Sequence, residues 1–486
     1  MTVPTLGSRP LLGTDRWIWR AILPLAVGVV LVLTPVPQGL SVNAWRYFAL
    51  FASVIAGIIT EPLPPAVLGL AGVVLATIWR LVRQSPADAV SWALSGFGNT
   101  TVWLIFAAYM FALGYAKTGL GRRLALLLIR AMGHRTLGLG YAITLADLVL
   151  APFTASTTAR SGGAIYPVIR NIPELYGSRP GDESARKIGA YLMYTAASTT
   201  LVTSSMFITA LAPNALAIGV IAQMLKITIS WMDWFRGFAP VGVTLLAIVP
   251  ILLYKIYPPL IKEAPEAPRW AREELRRMGP LSRKEITLLV LVIAVLLLWI
   301  GATEYIDPTV SAMLAVILMV VLNVVSWDDV IGHSQAWNVL VWFATLVTLA
   351  SGLAETKFID WLAQSIVPKL SGLGMYGTMV GLVGAFYFLH YFFATITAHT
   401  ASLFPVFLAV AIKIPGFSPA AWALLLGYSL GLMGILTPYG GGHLAVYYGS
   451  GYIKSRDFWV LGLILGIVFF VVYIVIIVPW LAFLHI

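Results

Sequence analysis

"FTASTTAR" (153–160) separates two strongly apolar stretches, and 239 positions later the chain reads "FFATITAH" (392–399). Phe153/Phe392, Ala155/Ala394, Thr158/Thr397 and Ala159/Ala398 are identical at that offset. Ser156 aligns with Thr395, and Arg160 with His399. An apolar chain that writes one hydroxyl-rich octapeptide twice carries an internal duplication. The duplication is wider than the octapeptide: "VWLIFAAYMFALGYAKTGL" (102–120) matches "VWFATLVTLASGLAETKF" (341–358) at the same offset. Pro-Val at 167–168 matches Pro-Val at 405–406 with a one-residue slip.

The surroundings of the duplication define the solvent. The chain has 486 residues, of which 59% are hydrophobic and 10% charged, and its mean hydropathy is +0.89. Soluble domains carry about 25% charged residues, so this composition belongs to a polytopic membrane protein. Windows such as 286–302 and 459–484 are long enough to span a bilayer as helices. Hydrocarbon forces each backbone polar group to find its partner within its own segment, which selects helices. A barrel would show short alternating strands, and none are legible. The apolar run 17–36 has no small-residue cleavage site behind it and reads as a first membrane helix. There is no cysteine, which excludes disulfides and thiol chemistry. The net charge of +11 does not indicate nucleic acid, because the basic residues flank apolar segments instead of forming one patch.

The segment 254–285, with eight Lys/Arg, five Asp/Glu and five Pro, divides the chain. It separates an N-terminal membrane repeat (1–253) from a C-terminal one (286–486), and its basic excess places it in the cytoplasm. Arg9, Arg16 and Arg20 place the N-terminus there too. Spans are expected at 17–36, 44–60, 64–81, 98–118, 187–226, 237–254, 286–302, 308–325, 338–354, 419–448 and 458–482. The basic stretch at Lys117, Arg122, Arg123, Arg130 and Arg135 is expected along the cytoplasmic surface. Charge counting requires the interrupted segments 137–172 and 373–412 to enter and leave on one side each, as re-entrant hairpins; Arg80, Arg83 and Arg236 are exceptions to that bias. The expected fold is therefore all-α, with about eleven membrane helices in two inverted repeats, an inside N-terminus and an outside C-terminus. Inverted, interrupted repeats point to a secondary transporter with its site at the midplane.

Broken helices expose backbone donors, and neighbouring hydroxyls add more without net charge, a combination that suits carboxylates. Ser156, Thr157, Thr158, Thr395 and Thr397 are the candidate substrate hydroxyls, against the alternative that membrane Ser and Thr merely bond back to carbonyls. A second pair of interruptions lies at "TALAPNALA" (209–217) and "LTPYGGGHLAVYYGSG" (436–451), contributing Asn214, Thr437 and Pro438. Ionisable residues inside a membrane are candidates by default, which adds Arg160 and His399 as fixed cations in place of a coupling ion. Asp147 reads equally as a counter-charge for Arg160 or as a helix cap; His390 and His443 read as packing. No metal cluster or cofactor motif is present, and HExxH, GxSxG and P-loop patterns are absent, so an enzyme is not expected. A channel is the other class, but channels usually draw their filter from oligomer symmetry, whereas this chain carries its own two-fold repeat.

The stretches "GFGNTTVWLIFAAYMFALGYAKTGLGRRLALLL", "LGLGYAITLADLVLAPFTASTTARSGGAIYPVIRNIP", "FFATITAHTASLFPVF" and "LTPYGGGHLAVYYGSGYI" resemble the divalent anion:sodium symporter family. They look most like its branch of bacterial citrate/succinate and tartrate/succinate antiporters and plastid 2-oxoglutarate/malate translocators. The resemblance implies eleven spans, two re-entrant hairpins, a homodimer in the cell inner membrane, and an elevator motion that exchanges di- or tricarboxylates. The family's two Ser-Asn-Thr hairpin motifs fall on Ser156-Thr157-Thr158 and Thr395-Ile396-Thr397, both departing at the Asn position. That departure argues against a sodium site built from Asn oxygens and for sodium-independent exchange, the alternative being a sodium- or proton-coupled symporter. An uncompensated Arg160 charge would further stall the empty carrier and enforce exchange.

Overall fold

The computed structural model of the chain describes residues 15–302, 304–370 and 374–486. Arg9, invoked for the inside N-terminus, and residue 373, the first of the second hairpin segment, lie outside the described residues. Among the described residues every regular element is helical; the only strand-like feature is an isolated bridge between Arg135 and Glu263. Among the described residues, eight helices are long and apolar enough to cross a membrane, including Val42–Thr60, Trp231–Ile256, Arg283–Gly301 and Ser455–Phe483. The described residues hold five shorter apolar helices of 10–17 residues each, including Ala212–Leu225 and Ile396–Ala411. Of these, Ala212–Leu225 and Ile396–Ala411 begin at helix interruptions, which shortens them.

Local chemistry sets the helix boundaries. Ser230 with Asp233, and Ser282 with Glu285, form reciprocal capping boxes that start Trp231–Ile256 and Arg283–Gly301. Pro308 occupies the first turn of Pro308–Val321, where its missing N–H costs nothing, and Asp307 caps it. Glu61 ends Val42–Thr60 in the left-handed region, φ 49°.

The chain forms two compact units, and each draws on both sequence halves. The first comprises Met1–Asn99 and Asn338–Ser371. Here Tyr47 donates to the Leu349 carbonyl (2.6 Å), Trp92 to Ser351 Oγ (3.1 Å), and the Gly96 N–H to Thr348 Oγ1 (3.0 Å). Arg83, an exception to the charge bias, is paired with Glu355 at 2.6 Å.

The second unit, Thr100–Trp337 and Gly372–Ile486, holds both interrupted segments. Its centre is Gly189–Met206, a helix in which every side chain is buried. The segment 254–285 is more than a linker: it contains Glu266–Met278, which docks on Leu120–Met132. Arg122 pairs with Glu274 and Arg123 with Glu285, each at 2.6 Å. The Thr136 N–H reaches the Lys262 carbonyl (2.9 Å), and the Ala264 N–H reaches that of His134 (2.7 Å).

Candidate functional site

The two octapeptides fold alike. Helix Thr136–Leu150 passes into a 3-10 turn at Ala151–Phe153, an extended Thr154, and a wide π-helical segment at Thr158–Ile165. At the 239 offset, Gly374–Phe388 passes into a 3-10 turn at Leu389–Phe392, an extended Phe393, and helix Ile396–Ala411. Pro152 sits in the first tip, where it cannot extend the helix.

The hydroxyls divide into two groups. Ser156 Oγ accepts from the Ala159 N–H (3.2 Å), and Thr395 Oγ1 accepts from the Ala398 N–H (3.0 Å). These aligned residues cap the second arms of their hairpins, which is a structural duty. Thr157, Thr158 and Thr397 have no hydrogen-bonded hydroxyl among the described residues; Thr158 is exposed and Thr397 half-buried. The hydroxyls at 158 and 397, identical across the repeat, are the ones left open to a ligand.

Arg160 and His399 occupy one repeat position in different surroundings. Arg160 Nε is 3.1 Å from Asp147 Oδ1, a fully buried ion pair joining the two arms of the first hairpin. Its remaining N–H groups reach the carbonyls of Thr154 (2.9 Å), Ala210 (2.9 Å) and Thr200 (3.3 Å), and Ser204 Oγ (2.9 Å). Thr200 and Thr203 donate to the Asp147 carboxylate. In the second hairpin, position 386 aligns with 147, and Phe386 meets the His399 ring edge-to-face at 4.6 Å. One cross-arm clasp is ionic and its copy is aromatic.

Two expectations change accordingly. Asp147 balances Arg160, so the empty carrier bears no bare guanidinium charge there. His399 is buried among Phe386, Phe393 and His390, with no ion pair among the described residues. An imidazolium there would be a buried charge without a counter-charge, so His399 is not a second fixed cation.

Each tip rests on the interruption of its own repeat. The Ala212 N–H donates to the Ala155 carbonyl (3.1 Å), and the Ile396 N–H to that of Gly440 (3.3 Å). Asn214 supports the first interruption, its Nδ2 donating to the carbonyls of Ser204 (2.7 Å) and Phe207 (3.0 Å). The loop Gly440–Gly442 also meets the first tip. A Cβ on Gly442 would lie 2.0 Å from Thr158 Oγ1, so only glycine admits that threonine. Both second arms therefore begin against one glycine loop. Pro438 is buried just before that loop beside Thr437, whose hydroxyl is buried without a partner among the described residues. The side-chain oxygen of Asn214, both ring nitrogens of His390, and His443 Nδ1 are likewise buried without partners among the described residues.

His390 reads as packing on sequence, yet its Nε2 and Thr437 Oγ1 lie 2.9 and 3.0 Å from the point a Gly440 Cβ would occupy. Also missed was the hydroxyl run "STTLVTSS" (198–205), which holds the Asp147–Arg160 pair and connects through Thr200 and Ser161 to Tyr447. Its density of hydroxyls within an apolar span was the available signal. A cavity of about 450 Å³ backs the first hairpin, lined by Tyr115, Arg122, Thr154 and Arg160 among others.

Two like hairpins, each clasped across its arms and seated on a helix interruption, define a helical membrane protein of secondary-transporter type. The family model described as "Sodium:sulfate symporter transmembrane region" matches residues 15–486, and the chain belongs to this family of divalent anion:sodium symporters. It is 45% identical over 474 residues to the L-tartrate/succinate antiporter of Shigella sonnei (strain Ss046), covering 95% of this chain and 97% of that protein. The L-tartrate/succinate antiporter of Escherichia coli (strain K12) matches with the same identity and coverage. Among solved structures, the Alcanivorax borkumensis YdaH transporter is similar in fold, with a TM-score of 0.56 at 14% identity, covering 96% of this chain and 97% of that one. Neisseria gonorrhoeae MtrF is also similar, with a TM-score of 0.55 at 11% identity over 97% of this chain and 95% of that one.

Proposed function

We propose that this chain exchanges dicarboxylates of the tartrate/succinate class across the cell inner membrane, without sodium, as a homodimer working by an elevator motion. The observation that carries the reading is the pair of open hydroxyls, Thr158 and Thr397, at the two helix starts that meet the glycine loop. Each helix N-terminus contributes roughly half a positive charge, so the two together attract a carboxylate without a bare cation. The 45% identity to antiporters named for tartrate and succinate supports the substrate class. Sodium independence is supported by Arg160, whose guanidinium engages the Thr154 and Ala210 carbonyls that the tip and interruption leave free. The unit holding both hairpins would be the one that carries substrate.

A coupled symporter is the competing reading, favoured by the unpartnered ring nitrogens of His390, beside the glycine loop, as proton acceptors. Proteoliposomes separate the two. Radiolabelled succinate should enter vesicles preloaded with tartrate or succinate, with or without sodium, and should not enter empty ones. Thr158→Ala and Thr397→Ala should each weaken substrate binding by roughly 1.5–3 kcal/mol, the worth of a hydrogen bond to a charged group. Uptake into empty vesicles driven by a sodium or proton gradient would overturn exchange in favour of symport.

A further inference from the structure

We propose that Leu120–Met132 and Glu266–Met278 together form a binding site for the phosphate headgroup of an anionic phospholipid, built on Arg130, Arg272 and Arg276. The two helices are basic and cross-linked, and their acids are already committed. Glu263 pairs with Arg135 (3.3 Å), Glu266 with Arg269 (2.9 Å), Glu274 with Arg122 (2.6 Å) and Glu285 with Arg123 (2.6 Å). Glu273 lies 3.7 Å from Arg276 and 3.9 Å from Arg277. Those are all five acids of the segment 254–285. Among the described residues no hydrogen bond or ion pair reaches the guanidinium of Arg130 or Arg272, and Arg276 has only its long contact to Glu273.

These three arginines line one cavity of about 450 Å³, with Leu275 and Gly279 and no carboxylate. Arg272 and Arg276 stand one turn apart on the same helix, a like-charge pair that destabilises it unless an anion sits between them. Guanidinium groups converging on an open cavity match phosphate, which accepts paired N–H bonds from each.

The source of the phosphate follows from connectivity. Leu120–Met132 begins directly after a membrane-spanning helix ends at Thr118, and Glu266–Met278 precedes one that begins at Arg283. Both helices are therefore held at the bilayer boundary. Leu127, one turn before Arg130 on the same face, is 45% exposed, and Leu281 beyond the cavity is 45% exposed as well. Leucines beside arginines offer an acyl chain and a headgroup their respective partners. A soluble anion has no use for the leucines.

The test uses the purified full chain and native mass spectrometry in detergent, with phosphatidylglycerol and phosphatidylcholine as probes. The wild type should retain phosphatidylglycerol at least about tenfold better than phosphatidylcholine. Arg130→Gln/Arg272→Gln/Arg276→Gln should lose that preference, whereas the charge-matched control Arg179→Gln/Arg236→Gln/Arg456→Gln should keep it. Equal retention of both lipids by the wild type, or an unchanged preference in the first triple variant, would overturn the site. Displacement of phosphatidylglycerol by equimolar inorganic phosphate would overturn the lipid assignment and leave a free-anion site.

Discussion

Asp147 and Arg160 are thirteen residues apart in sequence and 3.1 Å apart in space, buried at the same point of the first hairpin. Removing one partner of a buried pair costs roughly 3–5 kcal/mol, because the other is left as an uncompensated charge. Asp147→Asn and Arg160→Met are therefore each expected to lower thermal stability sharply in detergent. Asp147→Leu/Arg160→Met, which imitates the uncharged clasp of Phe386 and His399, should recover part of that loss. Recovery stays partial because the Thr154 and Ala210 carbonyls lose their donor, at about 1–3 kcal/mol for each buried orphan. Melting curves of the three variants check this order; single variants as stable as the wild type would remove the clasp from the energetics. On sequence, Asp147 read equally as a cap or a counter-charge. Spacing says which residues share a helix face, but not what a side chain meets on the opposite arm.

At the scale of elements, the hairpins work through their contact with the glycine loop. Gly442→Ala would drive a Cβ to within 2.0 Å of Thr158 Oγ1 and 3.3 Å of its Cβ, so the tip or the loop must move. Exchange should fall at least about tenfold, judged by succinate counterflow. Gly449→Ala, with open space around the new methyl, is the matched control and should be silent. The second pair of interruptions was legible, since Pro213, Pro438 and the glycines at 440–442 weaken a helix where they cluster with polar residues, although Pro240, Pro250 and Pro479 sit inside unbroken helices. Helix Phe358–Leu370 was not. It aligns at the 239 offset with Leu120–Met132, which arginines at 122, 123 and 130 mark as a surface helix. Its own sequence, "FIDWLAQSIVPKL", has one Asp and one Lys, too polar for a span and too weakly charged for a surface mark.

For the whole molecule, the eleven crossings and inside N-terminus expected from the sequence would put the segment 254–285 and the C-terminus on opposite sides. The chain lacks cysteine, so Ser282→Cys and Ile486→Cys provide single reporters. Impermeant thiol reagent should label them from opposite faces of oriented vesicles, and labelling from one face would remove the inverted repeat. The amino-acid order by itself determined that this is a helical membrane protein, because hydrocarbon leaves the backbone no other solution. It also determined the duplication and the four points where the apolar pattern is interrupted. Only the tertiary structure decided how the charged and hydroxyl groups are spent. Arg160 is neutralised by Asp147, Ser156 and Thr395 are consumed as caps, and Thr158 and Thr397 are left open. The compact units also cut across the halves 1–253 and 286–486. The reason is one of distance along the chain: Ser161 meets Tyr447 286 positions away, and Ile396 meets Gly440 through a bond between two interruptions. A local pattern specifies which side chains are present and how they are spaced; their partners exist only once the repeats have packed.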